Sequence, residues 1–192
     1  MDTKTIVKDI TNGLELLENQ SNRNLVINNY NRFKTKTPFS PTLNNYIEEW
    51  FETYKNVFVF TDTDDFDEND IEGTLEKHIQ RFKDTGKIHV WTGESDGTIF
   101  GDATINHKFR AWHDYIHVTL GYGYDFIGES IVASIQASQL PSEWVFEKEL
   151  VLCEVVGQAQ YFMQHNEFLK DQRKFTVTYL QSPFEALRVK QL

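Results

Sequence analysis

Apolar residues recur at steps of three and four along most of this 192-residue chain, and that spacing commits it to packed helices. Ile6, Ile10, Leu14 and Leu17 form one such stripe over 3–18. Tyr46, Ile47, Trp50, Phe51 and Tyr54 form a second, with Glu48, Glu49 and Glu52 on the opposite face. Ile71, Leu75, Ile79 and Phe82 form a third, which starts near 67–70 and ends at Gly86. Helical spacing resumes over 108–118 and 127–139, and the longest helix is predicted over about 143–166. Ser40-Pro41 reads as a cap followed by proline in the first turn, and Ser182-Pro183-Phe184-Glu185 as a capping box that opens a short terminal helix. Ser142, after Pro141, is placed to cap the longest helix.

Strand signals are few. Residues 57–60 are a short apolar run. Residues 88–91 and 98–100 suggest a hairpin around Glu94-Ser95-Asp96-Gly97, because Asp-Gly suits a tight turn. FTVTYL at 175–180 alternates like a strand, and the polar stretch 19–38 reads mostly as loop. The expected fold is therefore α+β and mainly α-helical, a helical bundle-like core with a small antiparallel sheet or hairpin. One domain is expected over 1–192, with helices and the hairpin in 1–105 and a helical half in 106–192 that carries the chemistry.

Composition then narrows the function. A formal charge of −10 disfavours duplex DNA and anionic membranes as partners, since phosphates reward basic surfaces. The lone cysteine, Cys153, excludes an intramolecular disulfide and a Cys-based zinc site. The N-terminal residues lack a secretory signal and no apolar run approaches the roughly 20 residues of a membrane span, so a cytoplasmic protein is expected. Any metal must be held by nitrogen and oxygen.

Two acidic motifs fail on inspection. The run TDTDDFDENDIE follows a predicted strand, as an aspartyl nucleophile would, but the βαβ repeats that such chemistry needs are missing. As a calcium loop from Asp65 it has Asp70 where glycine belongs and Glu72 where an apolar residue belongs. Asp67, Glu68 and Asp70 read better as carboxylates at a helix start.

The stronger constellation lies within HKFRAWHDYIHVTLGYGYDFIGE at 107–129. His113 and His117 are four apart, so both imidazoles project from one helical face and can reach one metal ion. Gly128-Glu129 opens the next helix after a glycine-rich bend. Glu154 interrupts the apolar run LVLC-Glu-VVG, where a carboxylate is costly unless paired or metal-bound, and Gln158 lies one turn on. On this reading His113, His117 and Glu154 are metal ligands, Glu129 is a ligand or general base, and Asp114 and Gln158 orient the ligands. The ion would be Zn²⁺, Mn²⁺ or Fe²⁺. Plainer roles are open to the same residues: partly buried histidines, a first-turn carboxylate at Glu129, and a buried ion pair of Glu154 with Arg110 or Arg173. His78, His89, His107 and His165 read as surface histidines.

The run Arg110-Ala111-Trp112-His113-Asp114-Tyr115-Ile116-His117, then Gly128-Glu129 and Glu154-Val155-Val156-Gly157-Gln158, resembles an uncharacterised bacteriophage protein family with a His-Asp-x-x-His … Gly-Glu … Glu-x-x-Gly-Gln pattern. The resemblance covers about 108–165 and implies phage origin and a polar site, with no established activity. The His-Asp doublet also resembles that of HD-type phosphohydrolases, which would bring in His78 or His89 and Asp171, although the predicted hairpin makes that order awkward. The expectation is a phage-encoded, metal-dependent hydrolase for a small or nucleotide-like substrate in the host cytoplasm. The alternative is a non-enzymatic phage protein, either a virion component or an acidic inhibitor of a host defence protein.

Overall fold

A computed structural model describes residues 22–67 and 69–191, so the helix expected over 3–18 lies outside the described residues. The elements run in chain order as α1 (22–29), α2 (Pro41–Tyr54), β1 (Phe58–Thr61), α3 (Ile71–Thr85), β2 (Ile88–Trp91), α4 (Ala103–Leu120), α5 (Phe126–Gln139), α6 (Val145–Leu152), α7 (Gln158–His165), α8 (Gln172–Gln181) and α9 (Pro183–Arg188). The protein is mainly helical, with one two-stranded sheet among the described residues. None of its described helices is long and apolar enough to cross a membrane.

Local chemistry sets most helix starts. Ser40, Asp70, Asp102, Asp125, Asp171 and Ser182 each accept a backbone N–H from the first turn of the helix that follows. Such a side chain satisfies a donor that has no partner within the helix. Ser142 does not cap α6; Trp144 occupies that position without a side-chain cap, while Ser142 Oγ donates to Glu143. The long helix expected over 143–166 is α6 and α7 joined by a π turn at Cys153–Gly157. One inserted residue in such a turn rotates the side chains that follow it, and Glu154 sits within it.

Three local expectations are corrected. The sheet is parallel, not antiparallel: Phe58 pairs with Ile88 and Thr61 with Trp91, with α3 as the crossover. The strand at 88–91 thus pairs backward across a helix rather than with 98–100. Those later residues are core loop: Ile99 and Phe100 are buried, and Ile99 accepts the Phe39 N–H. FTVTYL at 175–180 is helical, within α8. Its Phe175, Val177 and Leu180 are all buried, as is Thr176, so the alternation reflects no half-exposed strand face. The stretch read as loop over 19–38 contains α1, where Val26 packs into the core.

Helix α4 is central, packing against α2, α3, α5 and β2. Its Trp112 is fully buried among Tyr46, Trp50 and Phe109, with ring centroids 5.4, 5.9 and 6.1 Å away. The indole Nε1 donates to Gln139 Oε1 on α5 at 2.8 Å. This anchor locks the rotation of α4, and with it the direction in which His113, the next residue, projects.

Candidate metal centre

The site begins with the helical repeat. His113 and His117 lie one turn apart on α4, and their Nε2 atoms are 2.9 Å apart. The helix stops at Gly121, whose left-handed backbone (φ 75°) returns its N–H to the His117 carbonyl. The chain then bends through 122–125 and re-enters helix at α5, with Asp125 as cap. Gly128 permits that sharp return: a Cβ there would lie 1.8 Å from the Gly123 carbonyl oxygen. The next residue, Glu129, is thereby aimed back at α4. Its carboxylate oxygens stand 3.0 Å from His113 Nε2 and 3.4 Å from His117 Nε2.

The remaining ring nitrogens are committed. His117 Nδ1 lies 2.8 Å from the Tyr122 carbonyl oxygen and His113 Nδ1 lies 3.0 Å from Gln136 Oε1. Both acceptors require a proton on Nδ1, which leaves each Nε2 lone pair facing the shared centre when the ring is neutral. Two such lone pairs and a carboxylate can be satisfied by a proton on one Nε2 or by a metal cation between them. Metal–nitrogen bonds of about 2.0–2.1 Å place ligand atoms about 2.9 Å apart at right angles and about 3.4 Å apart in a tetrahedron. The two Nε2 atoms are 2.9 Å apart, each faces a different oxygen of the Glu129 carboxylate, and one ligand atom from each residue falls within 4.8 Å of the others.

Charge follows geometry. Burial works against an imidazolium at His113, but Glu129 outweighs it and pushes the His113 pKa up to about 9. Burial also opposes the Glu129 carboxylate, yet His113 and His117 hold it well below the ordinary carboxylate range. Burial and the neighbouring His113 lower the pKa of His117. Without a metal the cluster therefore holds one proton, on His113, beside an ionised Glu129.

The other predicted residues surround this group. Glu154, in the π turn, and Gln158, at the start of α7, line a pocket of about 200 Å³ that also reaches His113 and Glu129. Glu129, rather than Glu154, stands against both imidazoles. Burial pushes Glu154 up to about 7, with the Gln158 amide and Arg110 opposing the shift. Even so, Glu154 Oε2 and Gln158 Nε2 are buried without a hydrogen-bond partner of good geometry. Asp114 is also pushed up to about 7, by burial and by Glu129, with His113 and Arg110 opposing. It is half-buried beside the centre and does not line the pocket.

Glu154 forms no ion pair with either arginine considered for it. Arg110 donates to the carbonyls of Trp91, Gly93 and Glu94 at 3.1, 2.5 and 3.2 Å. Arg173 donates to the carbonyls of Thr98 and Thr37, both at 2.8 Å. Asp171, the residue an HD-type site would need, caps α8 through the Lys174 N–H.

Sequence reasoning missed a second network. His78 is largely buried: its Nδ1 is 2.9 Å from Tyr124 Oη, and its Nε2 is 2.9 Å from Oδ1 of Asp65, whose Oδ2 accepts from Arg81. The Tyr124 ring packs over His117 with centroids 4.5 Å apart. Burial, then the charges of Asp114 and Glu129, raise the pKa of this phenol. Tyr124 in the glycine-rich bend was the one available signal. Asp65 and His78 belong to a loop and a different helix, so no spacing could pair them. His107 and His165 are not simple surface residues either, since their Nε2 atoms meet the carbonyls of Thr92 and Leu187.

No family model, curated protein or solved structure matches the chain.

Proposed function

We propose that this protein is a metal-dependent hydrolase for a small polar substrate, with His113, His117 and Glu129 holding one divalent cation. The observation that carries the proposal is the 2.9 Å approach of two Nε2 atoms whose Nδ1 partners are both acceptors. Two imidazoles and one carboxylate form the donor set of open catalytic sites for Zn²⁺ or Fe²⁺, and Mn²⁺ is compatible with it.

His113, His117 and Glu129 would hold the cation, which when bound would supply Lewis acidity to activate water near neutral pH. Glu154 is the base that the geometry favours, because it lines the pocket onto which His113 and Glu129 open. A carboxyl group held near neutrality can accept a proton and return it at physiological pH. The roles expected for Glu129 and Glu154 are thus exchanged, Glu129 serving as ligand and Glu154 as base. Asp114 adds negative charge beside His113 and supports its hold on the cation. The resemblance of 108–165 to bacteriophage proteins supports a phage-encoded enzyme that works in the host cytoplasm.

Elemental analysis and calorimetric titration with Zn²⁺ and Mn²⁺ test the reading. One ion per chain is expected, with affinity falling at least 100-fold in His113→Ala and Glu129→Ala. Binding that is unchanged in those variants, or no binding of either ion to the folded protein, would sink it.

A further inference from the structure

We infer that the pocket beside the metal centre takes the amide edge of a small uncharged molecule: a carboxamide, a ureide or a cyclic amide of pyrimidine size. The inference deepens the hydrolase reading and rests on it for the reaction, while the binding argument stands on the pocket itself.

Three of the residues that line the pocket carry a buried side-chain atom without a hydrogen-bond partner of good geometry: Glu154 Oε2, Gln158 Nε2 and Gln172 Oε1. Buried polar atoms nearly always have partners, because an unpaired one forfeits its hydration. Three around one space mark the place where a ligand supplies the missing bonds. Their chemistry is mixed. Gln158 Nε2 can only donate and Gln172 Oε1 can only accept, while Glu154 accepts when ionised. An amide presents a carbonyl acceptor next to an N–H donor, and so answers both glutamines at once. A carboxylate or phosphate has no donor for Gln172 Oε1. A cation has no acceptor for Gln158 Nε2 and meets Arg110 on the same wall.

Size and shape agree. The pocket measures about 200 Å³, whereas cavities of roughly 150 Å³ already admit a benzene-sized molecule. Phe109 and Val155 supply an apolar surface on which a flat group can lie. A whole nucleotide exceeds this space, so the nucleotide-like option narrows to a base-sized ring.

The reaction that matches this ligand is hydrolysis of the C–N bond. The oxygen of water bonds to the amide carbon and the C–N bond breaks, its electron pair passing to nitrogen. The proton that water gives up to the Glu154 carboxylate is delivered to that nitrogen. The products are a carboxylic acid and an amine, and water is the only co-reactant.

Ligand-observed NMR titration tests the inference with uracil and acetamide as probes, and with acetate, inorganic phosphate and methylguanidinium as controls. Both metal-free and Zn²⁺-loaded full-length protein are used. The amide probes are expected to bind at least 10-fold tighter than every control. Gln158→Leu and Gln172→Leu should each weaken uracil at least 10-fold while leaving Zn²⁺ affinity within twofold. Thermal melts of both variants confirm folding, and the titration of the unaltered protein decides the matter even if one fails to fold. Equal binding of amides and controls overturns the inference, as does unchanged uracil binding in both folded variants. Amide binding without any Zn²⁺ binding supports the pocket assignment and removes the hydrolase reading, so the two failures are distinct.

Discussion

The Nε2 atoms of His113 and His117 lie 2.9 Å apart, each on a ring whose other nitrogen is engaged by a carbonyl oxygen. On one helix this pairing follows from a four-residue step. What makes it a candidate centre is that Gln136 on α5 and the backbone of the 121–125 bend choose the tautomers. The outer acceptors therefore matter as much as the imidazoles.

Gln136 is buried, with its Oε1 3.0 Å from His113 Nδ1 and its Nε2 without a partner among the described residues. Gln136→Leu should keep the fold and lower Zn²⁺ affinity about 10–100-fold, the range usual for loss of a group that orients a metal ligand. Competition titration against a chromophoric chelator measures this directly. An unaltered affinity would mean that the His113 tautomer is set by something else.

Gly128 is the steric key to Glu129. Gly128→Ala would put a methyl carbon 1.8 Å from the Gly123 carbonyl oxygen, so the first turn of α5 must shift. Destabilisation of about 2–4 kcal/mol is expected, within the range for a forced backbone displacement, together with weakened metal binding. Urea denaturation gives the first quantity and metal titration the second.

Stability should carry an unusual pH dependence from Glu154. Its folded pKa of about 7 lies above the ordinary value of 4.5, so across that window the folded state holds more protons than the unfolded state. By linkage, stability then falls as pH rises from about 4.5 to about 7. Glu154→Gln removes this component. In chelator, the variant should exceed the parent by about 3 kcal/mol at pH 8 and match it near pH 4. Asp114, raised in the same direction, should leave a residual slope in the variant. A parent whose stability rises between pH 5 and 7 in chelator, with no gain in the variant, would contradict the assignment.

Tyr124→Phe should separate the outer network from the metal centre. The change deletes the partner of His78 Nδ1 but keeps the ring over His117. A loss of about 1 kcal/mol is expected, as for one partly buried hydrogen bond, with Zn²⁺ affinity changed less than threefold. Thermal unfolding with and without Zn²⁺ resolves the two effects. A large fall in metal affinity would instead place the phenol among the groups that hold the ion.

The pairing of strands shows why part of the fold escaped sequence reasoning. Residues 88–91 were legible as a strand, but a tight Asp-Gly turn pointed forward to 98–100, and only tertiary packing returns them to β1 beyond α3. At 175–180 the alternation was real, yet both kinds of position, Thr176 as well as Val177, are buried, so period-two burial never arises. Asp171, capping the first turn, was the local sign of a helix there.

For the site, the sequence by itself determined that His113 and His117 share a face, that a carboxylate follows a glycine at 128–129, and that Glu154 and Gln158 lie one turn apart. Each depends only on the 3.6-residue repeat and on caps formed within a few residues. Tertiary structure alone decided that Glu129 meets the imidazoles, that Glu154 faces a pocket instead, and that Tyr124 and His78 close the far side. Those outcomes depend on the contact of Gly128 with Gly123, the anchoring of Trp112 and the rotation introduced by the π turn. They are contacts between separate elements, and no spacing along one chain encodes the distance between two helices.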